Sequence, residues 1–125
     1  MAIAGSSVAL AATYGPSVTV EVKNGTKTLI DSVVHGESGW VTKGGTPKGT
    51  CSGDSAVGAL DAATHGKWAG KYYPAYADLL VNSIDGVKPK SPDYWNLYVN
   101  GKSSSLGVCS IKLHAGEKLL FKIIK

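Results

Sequence analysis

Arginine is absent from this chain of 125 residues, so its basic character rests on 13 scattered lysines set against 9 acidic residues. The formal net charge is +4 and the pI is about 9.1. Proteins that read nucleic acids rely on the planar arginine fork, which binds phosphates and guanine edges through two hydrogen bonds. The missing side chain and the dispersed charge therefore argue against nucleic-acid binding.

Motifs for catalysis and for metal binding are also missing. The three histidines, His35, His65 and His114, lie far apart, and the aspartates are not spaced as paired carboxylates on one element. The sequence has no G-x-S-x-G nucleophile motif, no H-E-x-x-H zinc motif and no phosphate-binding glycine loop. We therefore predict a protein that is not an enzyme and that holds no metal or cofactor, although distant residues can assemble a triad on folding.

No apolar run is long enough to cross a bilayer, which takes about 20 residues. The first twelve residues are nevertheless small and apolar, and Ala9 and Ala11 form the A-x-A pattern of signal-peptide cleavage sites, although no basic segment precedes them. We interpret residues 1–16 as a leader remnant or a flexible N-terminus. Residues 17–125 form one predicted domain, since a chain of this length has room for one core.

Only two cysteines are present, Cys51 and Cys109, and neither belongs to a C-x-x-C redox motif. In a small exported domain such a pair most often forms a disulfide, because oxidising compartments favour the bond. Two separate buried thiols are the alternative. We predict the disulfide and, with it, a secreted or cell-surface protein whose mature domain is not inserted in a membrane.

Glycine is abundant, with 16 residues, and predicts short elements joined by frequent turns. Alternating valines indicate a strand over 17–23, and the pair Asn24 and Gly25 indicates a hairpin turn into a β-branched strand over 28–35. The alternation of apolar and polar residues predicts three later strands, over 77–85, 93–99 and 118–124.

One helix is predicted between these groups of strands. Ser52 or Asp54 can cap its first turn, and Gly66 suits a left-handed C-terminal cap. The apolar residues between them recur at helical spacing but are small, which indicates close packing against a sheet. Gly58 lies inside this helix and costs about 1 kcal/mol relative to alanine, so tertiary contacts must stabilise the helix. One helix beside one mixed sheet is an α+β arrangement.

Four segments resemble, in order, the C-terminal domain of the transcobalamin and intrinsic factor family, and in particular its stand-alone bacterial members. They are DSAVGALDAATH, LLVNSIDGV, DYWNLYVNGK and SSLGVCSIKLHAGEKLLFKI, and they lie within residues 54–124. The resemblance implies a β-grasp-like mixed sheet with one main helix packed on one face. It also implies a ligand-binding role, with a corrinoid (cobalamin-like) or related small molecule as the ligand. In the family's two-domain members cobalamin lies between this domain and a helical barrel, and no barrel is predicted here.

Candidate ligand contacts come from two sources. The resemblance implies contacts from residues 76–79 and from Tyr94 and Trp95. Independently, residues 68–76 read as an aromatic loop, which either forms a rigid binding platform or covers one end of the core. Alternation along 93–99 predicts that Trp95 faces the core and Tyr94 faces outward, with these roles exchanged if the register shifts by one residue. The candidates are Trp68, Tyr72, Tyr73, Tyr76, Asp78, Tyr94 and Trp95.

Two functions fit these observations. The first is an exported, non-catalytic module that binds a small molecule of the corrinoid or a related type. The alternative is a cell-envelope module that binds another protein or a wall polymer, which requires an exposed apolar patch rimmed by lysines. The position of the aromatic side chains distinguishes them from a purely structural role, in which every ring is buried.

Overall fold

The N-terminal hairpin forms as the valine alternation predicts. The structure, a computed structural model, describes residues 15–125, so the predicted leader remnant lies almost entirely outside the described residues. Strand β1 (Ser17–Asn24) pairs antiparallel with β2 (Lys27–His35). Val18, Val20 and Val22 are at most 1% exposed, while the residues between them face outward.

Five strands form one mixed sheet and two more form a small separate sheet. The large sheet has the order β2-β1-β7-β5-β6, in which β1 runs parallel to β7 and the other neighbours are antiparallel. The small sheet pairs β3 with β4. The bounds of these strands are β3 Trp68–Tyr73, β4 Asp78–Ile84, β5 Tyr94–Val99, β6 Lys102–Ser103 and β7 Lys118–Ile124. The α+β, β-grasp-like architecture is confirmed.

The helix α1 (Ala56–Thr64) packs with β1, β2 and β3. Its N-cap residue is Ser55, so the predicted caps Ser52 and Asp54 are wrong. The Ser52 hydroxyl instead accepts a hydrogen bond from the Asp54 amide at 3.0 Å, which forms a turn before the helix begins. At the other end the left-handed cap residue is His65, one position before the predicted Gly66. The Gly66 amide donates to the Asp61 carbonyl at 2.9 Å and completes a Schellman ending.

The core lies between α1 and the inner face of the large sheet, and it extends under the small sheet. Trp95 and Leu97 are buried and Tyr94 is exposed, which confirms the predicted register of β5. Phe121 is 1% exposed and pairs across the sheet with Leu97. Within residues 15–125 no helix is both long and apolar enough to cross a bilayer.

Cys51 and Cys109 form the predicted disulfide. Cys51 is fully buried in the long connection between β2 and the helix, and Cys109 lies in the segment between β6 and β7. The bond therefore ties these two loop regions to each other.

The predicted aromatic loop over 68–76 is wrong, because most of it is strand β3. Trp68 is 5% exposed, and its indole N–H donates to the Asp61 carboxylate at 2.6 Å. Lysine and glycine have low β-propensity and obscure the alternation in WAGKYY, so only pairing with β4 makes it a strand. Gly70 is required there, since a Cβ atom would collide with Leu79 and with the Leu80 carbonyl.

Candidate functional site

An open groove of about 540 Å³ lies where the β3–β4 hairpin meets the segment between β6 and β7. Two tyrosines and three leucines supply its large apolar side chains, and two serines and Asp78 are its polar side chains. The groove is lined by Tyr73, Tyr76, Asp78, Leu79, Leu80, Ser105, Leu106, Gly107 and Ser110.

A short turn positions the two tyrosines. Tyr73 ends β3, and a 3-10 turn over Pro74–Tyr76 follows, with Ala77 in the left-handed conformation. Proline suits the first position of such a turn because its φ is already fixed and its missing N–H is not needed there. The chain reverses within five residues, which leaves Tyr76 79% exposed and Tyr73 37% exposed at the edge of the groove.

Asp78 is the polar centre of the groove wall. One carboxylate oxygen accepts hydrogen bonds from the amides of Leu79 at 2.8 Å and Cys109 at 2.9 Å. The other accepts the Ser110 hydroxyl at 2.7 Å. A Cβ atom on Gly107 would collide with the same carboxylate, so glycine is needed at that position. Asp78 therefore joins β4 to the disulfide-bonded segment and holds the groove in shape.

The exposed apolar side chains are concentrated at this place. Seven large apolar residues are exposed in residues 15–125, and five of them line the groove or a smaller cleft beside it. Those five are Tyr73, Tyr76, Leu80, Tyr94 and Leu106. Leu80 and Leu106 were not among the residues predicted from the sequence. For Leu106 a signal was available, since it is a single leucine between three serines and Gly107.

The smaller cleft has a volume of about 190 Å³ and adjoins the groove through Leu79, Leu80, Leu106 and Gly107, which line both. Tyr94 and Trp95 lie here rather than in the larger groove. The Trp95 ring is buried, and its indole N–H donates to the Val87 carbonyl at 3.3 Å. The structure thus brings five of the seven predicted site residues to two adjoining depressions.

Trp68 and Tyr72 line neither depression. Trp68 belongs to the core, and Tyr72 is half-buried on β3. The Lys43 ammonium lies 4.5 Å from the centre of the Trp68 ring and donates to the Gly66 and Trp68 carbonyls at 2.7 and 2.6 Å. This cation fixes the start of β3 against the loop that precedes the helix.

The carboxyl groups of Glu37 and Asp61 are neighbours, and Asp61 also accepts the hydrogen bond from the Trp68 indole. Burial of Glu37 is the main cause that raises its pKa from 4.5 to about 7, and a shared hydrogen bond and charge repulsion from Asp61 add to it. Lys43 lowers the pKa of Glu37 but does not outweigh these causes. Two carboxylates in contact resist ionising together, so Glu37 keeps its proton to a higher pH than an isolated carboxyl group.

This pair predicts a stability that falls as pH rises. Since the pKa of Glu37 is higher in the folded chain, the folded state binds more protons between pH 4.5 and about 7. The free energy of unfolding should therefore be highest below pH 4.5, decrease as the pH rises from 4.5 to about 7, and level off above that pH. Solvent screening of the half-exposed side chain limits the decrease to the order of 1 kcal/mol. Urea unfolding followed at a series of pH values measures it.

The matched variant is Glu37→Gln, which removes the titrating group but keeps a donor for Asp61. We expect the stability of E37Q to vary less between these pH values than that of the natural chain. An equal slope in both proteins would show that another group causes the pH dependence.

Comparisons with known proteins place this geometry in a family and a fold. The family profile described as "Domain of unknown function (DUF4430)" matches residues 53–125. A search among curated proteins finds no match.

Two solved structures share the fold. One is a proposed metal-binding protein from Ruminococcus gnavus ATCC 29149, with a TM-score of 0.64 and 12% identity over 88% of this chain and 97% of the other. The second is haptocorrin in complex with Cbi, with a TM-score of 0.64 and 16% identity over 88% of this chain. The matched region is 25% of the haptocorrin chain. The predicted resemblance to the transcobalamin C-terminal domain is confirmed at the level of the fold.

Proposed function

The chain belongs to the DUF4430 family, and we propose that it is a non-catalytic module that binds a small molecule in the groove beside Tyr73 and Tyr76. The observation that carries this proposal is an open depression of about 540 Å³ whose rim is formed by exposed apolar side chains. Sites for small molecules are usually concave, mostly apolar and about 300–1,000 Å³ in volume. A few polar groups complete the groove, among them the Ser105 and Ser110 side chains.

The rigidity of the wall supports a preformed site. Asp78 joins the two sides of the groove through two hydrogen bonds, from the Cys109 amide and the Ser110 hydroxyl. The disulfide restrains Cys109, which follows Gly107 by two residues on the opposite wall. A site that is already ordered loses less conformational entropy when the ligand binds. Tyrosine adds a large contact surface with few rotatable bonds.

The proposed ligand is a flat molecule of the corrinoid or a related type. Haptocorrin, which shares the fold, has been solved in complex with Cbi. A planar ring system suits a shallow groove rimmed by Tyr73, Tyr76 and Leu106, because broad apolar faces can lie against them. A metal ion is a weaker candidate, since no group of three or more His, Cys, Asp or Glu in residues 15–125 could hold one.

Export is part of the same proposal. The buried disulfide supports a secreted or cell-surface location, because reducing compartments do not preserve such bonds.

The test is titration of the oxidised protein with a cobalamin, followed by its absorption spectrum and by calorimetry. We expect saturable binding with a Kd below about 1 mM. Tyr76→Ala should weaken it about 10-fold, which corresponds to the loss of one aromatic contact, without changing the melting temperature. Trp40→Ala is the matched control, since Trp40 is 46% exposed and lies outside the groove.

Two results would contradict the proposal. One is the absence of any heat or spectral change at millimolar cobalamin. The other is an equal loss of affinity in the Trp40 and Tyr76 variants, which would mean that the ligand adheres to exposed rings in general.

A further inference from the structure

Strand β5 is paired along its whole length on one side only. All six of its residues pair with β7, but β6 pairs only with Tyr98 and Val99. In the part of the chain that the structure describes, residues 94–97 of β5 therefore have no paired strand on this side. On this side, Ser104 donates its amide to the Leu97 carbonyl at 2.8 Å.

That hydrogen bond identifies which backbone groups face the open edge. In a strand, alternate residues direct their N–H and C=O groups to the same side. Because the Leu97 carbonyl points to Ser104, the Leu97 amide and both backbone groups of Trp95 point the same way. Within the described part of the chain these three groups form no hydrogen bond with another backbone or side-chain group. Unpaired strand edges are templates for an added strand.

The smaller cleft runs beside this edge. Trp95, Asn96 and Leu97 line one side of it, and residues 79–81 of β4 line the other. Strand β4 pairs with β3 alone, and its Leu79 amide donates to a side chain, Asp78, rather than to a strand. The cleft is therefore a seam between two sheets, with backbone edges on both sides and an apolar lining that includes Leu106 and Phe121.

The charge on the open face of the sheet restricts what can pair there. Lys122 lies opposite Asn96, and Lys125 follows Ile124, which lies opposite Tyr94. Within residues 15–125, Lys23 and Lys118 are the only lysines in ion pairs, and both pair with Glu21. Lys122 and Lys125 therefore have no acidic partner there. A strand added at the β5 edge would lie within a Debye length of these cations.

We propose that the β5 edge at 94–97 binds an extended peptide segment of a partner protein, in which apolar residues that enter the cleft alternate with acidic residues on the outer face. Backbone hydrogen bonds to Trp95 and Leu97 supply affinity that does not depend on sequence, and the cleft and the lysines select the side chains. This surface adjoins the tyrosine groove, but the groove is not lined by residues 94–97, and the inference does not rest on the binding of a small molecule there.

The test uses an array of synthetic nine-residue peptides in which glutamate alternates with valine, leucine, isoleucine, phenylalanine or tyrosine. Binding to the oxidised, isotope-labelled chain is followed by amide hydrogen exchange. We expect the Trp95 and Leu97 amides to exchange at least about 10-fold more slowly with a bound peptide, because new backbone hydrogen bonds protect them. The Tyr94 and Asn96 amides, already directed to β7, should change little.

Three controls separate strand addition from simple apolar contact. N-methylation of the alternate peptide amides that face β5 should abolish protection, because the methyl groups prevent the close approach of the two strands and remove the donor to the Trp95 carbonyl. Lys122→Glu should weaken binding of the glutamate peptides about 5-fold or more and strengthen binding of their lysine counterparts. Lys27→Glu, on the opposite edge strand β2, should leave both unchanged.

The proposal is overturned if no peptide of the array protects these amides at about 1 mM. It is also overturned if the N-methylated peptides bind equally well, or if the protein protects the same amides by pairing with a second copy, which sedimentation would reveal. Tyr76→Ala should leave peptide binding unchanged, so this result and that of the cobalamin titration are independent.

Discussion

Removal of the Cys51–Cys109 disulfide is expected to lower the free energy of unfolding by about 4 kcal/mol, because the bond closes a loop with a sequence separation of 58 residues. Without the bond the unfolded chain gains the conformations that the closed loop excluded. In a domain of this size the melting temperature should fall by roughly 10 °C or more. The variant Cys51→Ala with Cys109→Ala, compared with the oxidised chain by thermal and urea unfolding, measures the effect.

The loss should extend to the groove. Cys109 donates its amide to Asp78, so loosening this segment releases one of the two hydrogen bonds that join the two walls. We expect the double variant to bind the cobalamin more weakly even at a temperature where it remains folded. Addition of reductant to the variant is the control and should change nothing. A difference in stability below about 1 kcal/mol would show that the native packing alone fixes these loops.

Replacement of Gly58 by alanine is expected to destabilise the protein by about 2 kcal/mol or more, although alanine is the better helix former. A Cβ atom at this position would collide with the Gly53 carbonyl group, and it would lie 2.8 Å from the Gly53 Cα. Backbone atoms cannot rotate away as a flexible side chain can. The helix must therefore shift from the turn that precedes it, and the contacts of its buried face are lost.

The matched variant is Ala62→Gly, on the half-buried side of the same helix. It should cost about 1 kcal/mol, the ordinary difference in helix propensity. Chemical unfolding of G58A and A62G measures both changes. If Gly58→Ala stabilises the protein, the close approach of the helix to Gly53 is wrong and propensity alone decides this position.

Gly58 and strand β5 illustrate which structural features the sequence predicts and which it does not. Alternation along DYWNLYV predicts correctly that Trp95 is buried and Tyr94 is exposed, because the period of two is a property of any strand with one covered face. The sequence also indicates that Gly58 weakens its helix. It does not indicate that Gly53 lies against it, since that contact depends on how the loop and the helix pack.

The candidate site also combines residues that the sequence predicts with residues that only the folded structure reveals. The tyrosines of 68–76 are visible as a cluster in the sequence, and two of them, Tyr73 and Tyr76, reach the groove. Trp68 and Tyr72 do not, because their segment is a strand whose alternate residues face different sides. Leu80 and Leu106 complete the groove from elements far apart in the chain, and no local pattern connects them.

The amino-acid sequence by itself determined the strands with regular alternation, the glycine turns, the disulfide and the order of elements that resembles the transcobalamin domain. These features depend on local conformational preference and on the spacing of apolar residues, which are written in the chain. Only the tertiary structure decided that 68–73 is a strand, that Asp78 joins two segments 31 residues apart, and that β6 pairs with just the last two residues of β5. Such features depend on which surfaces meet, because hydrogen bonds and close contacts between distant residues exist only after the layers have packed.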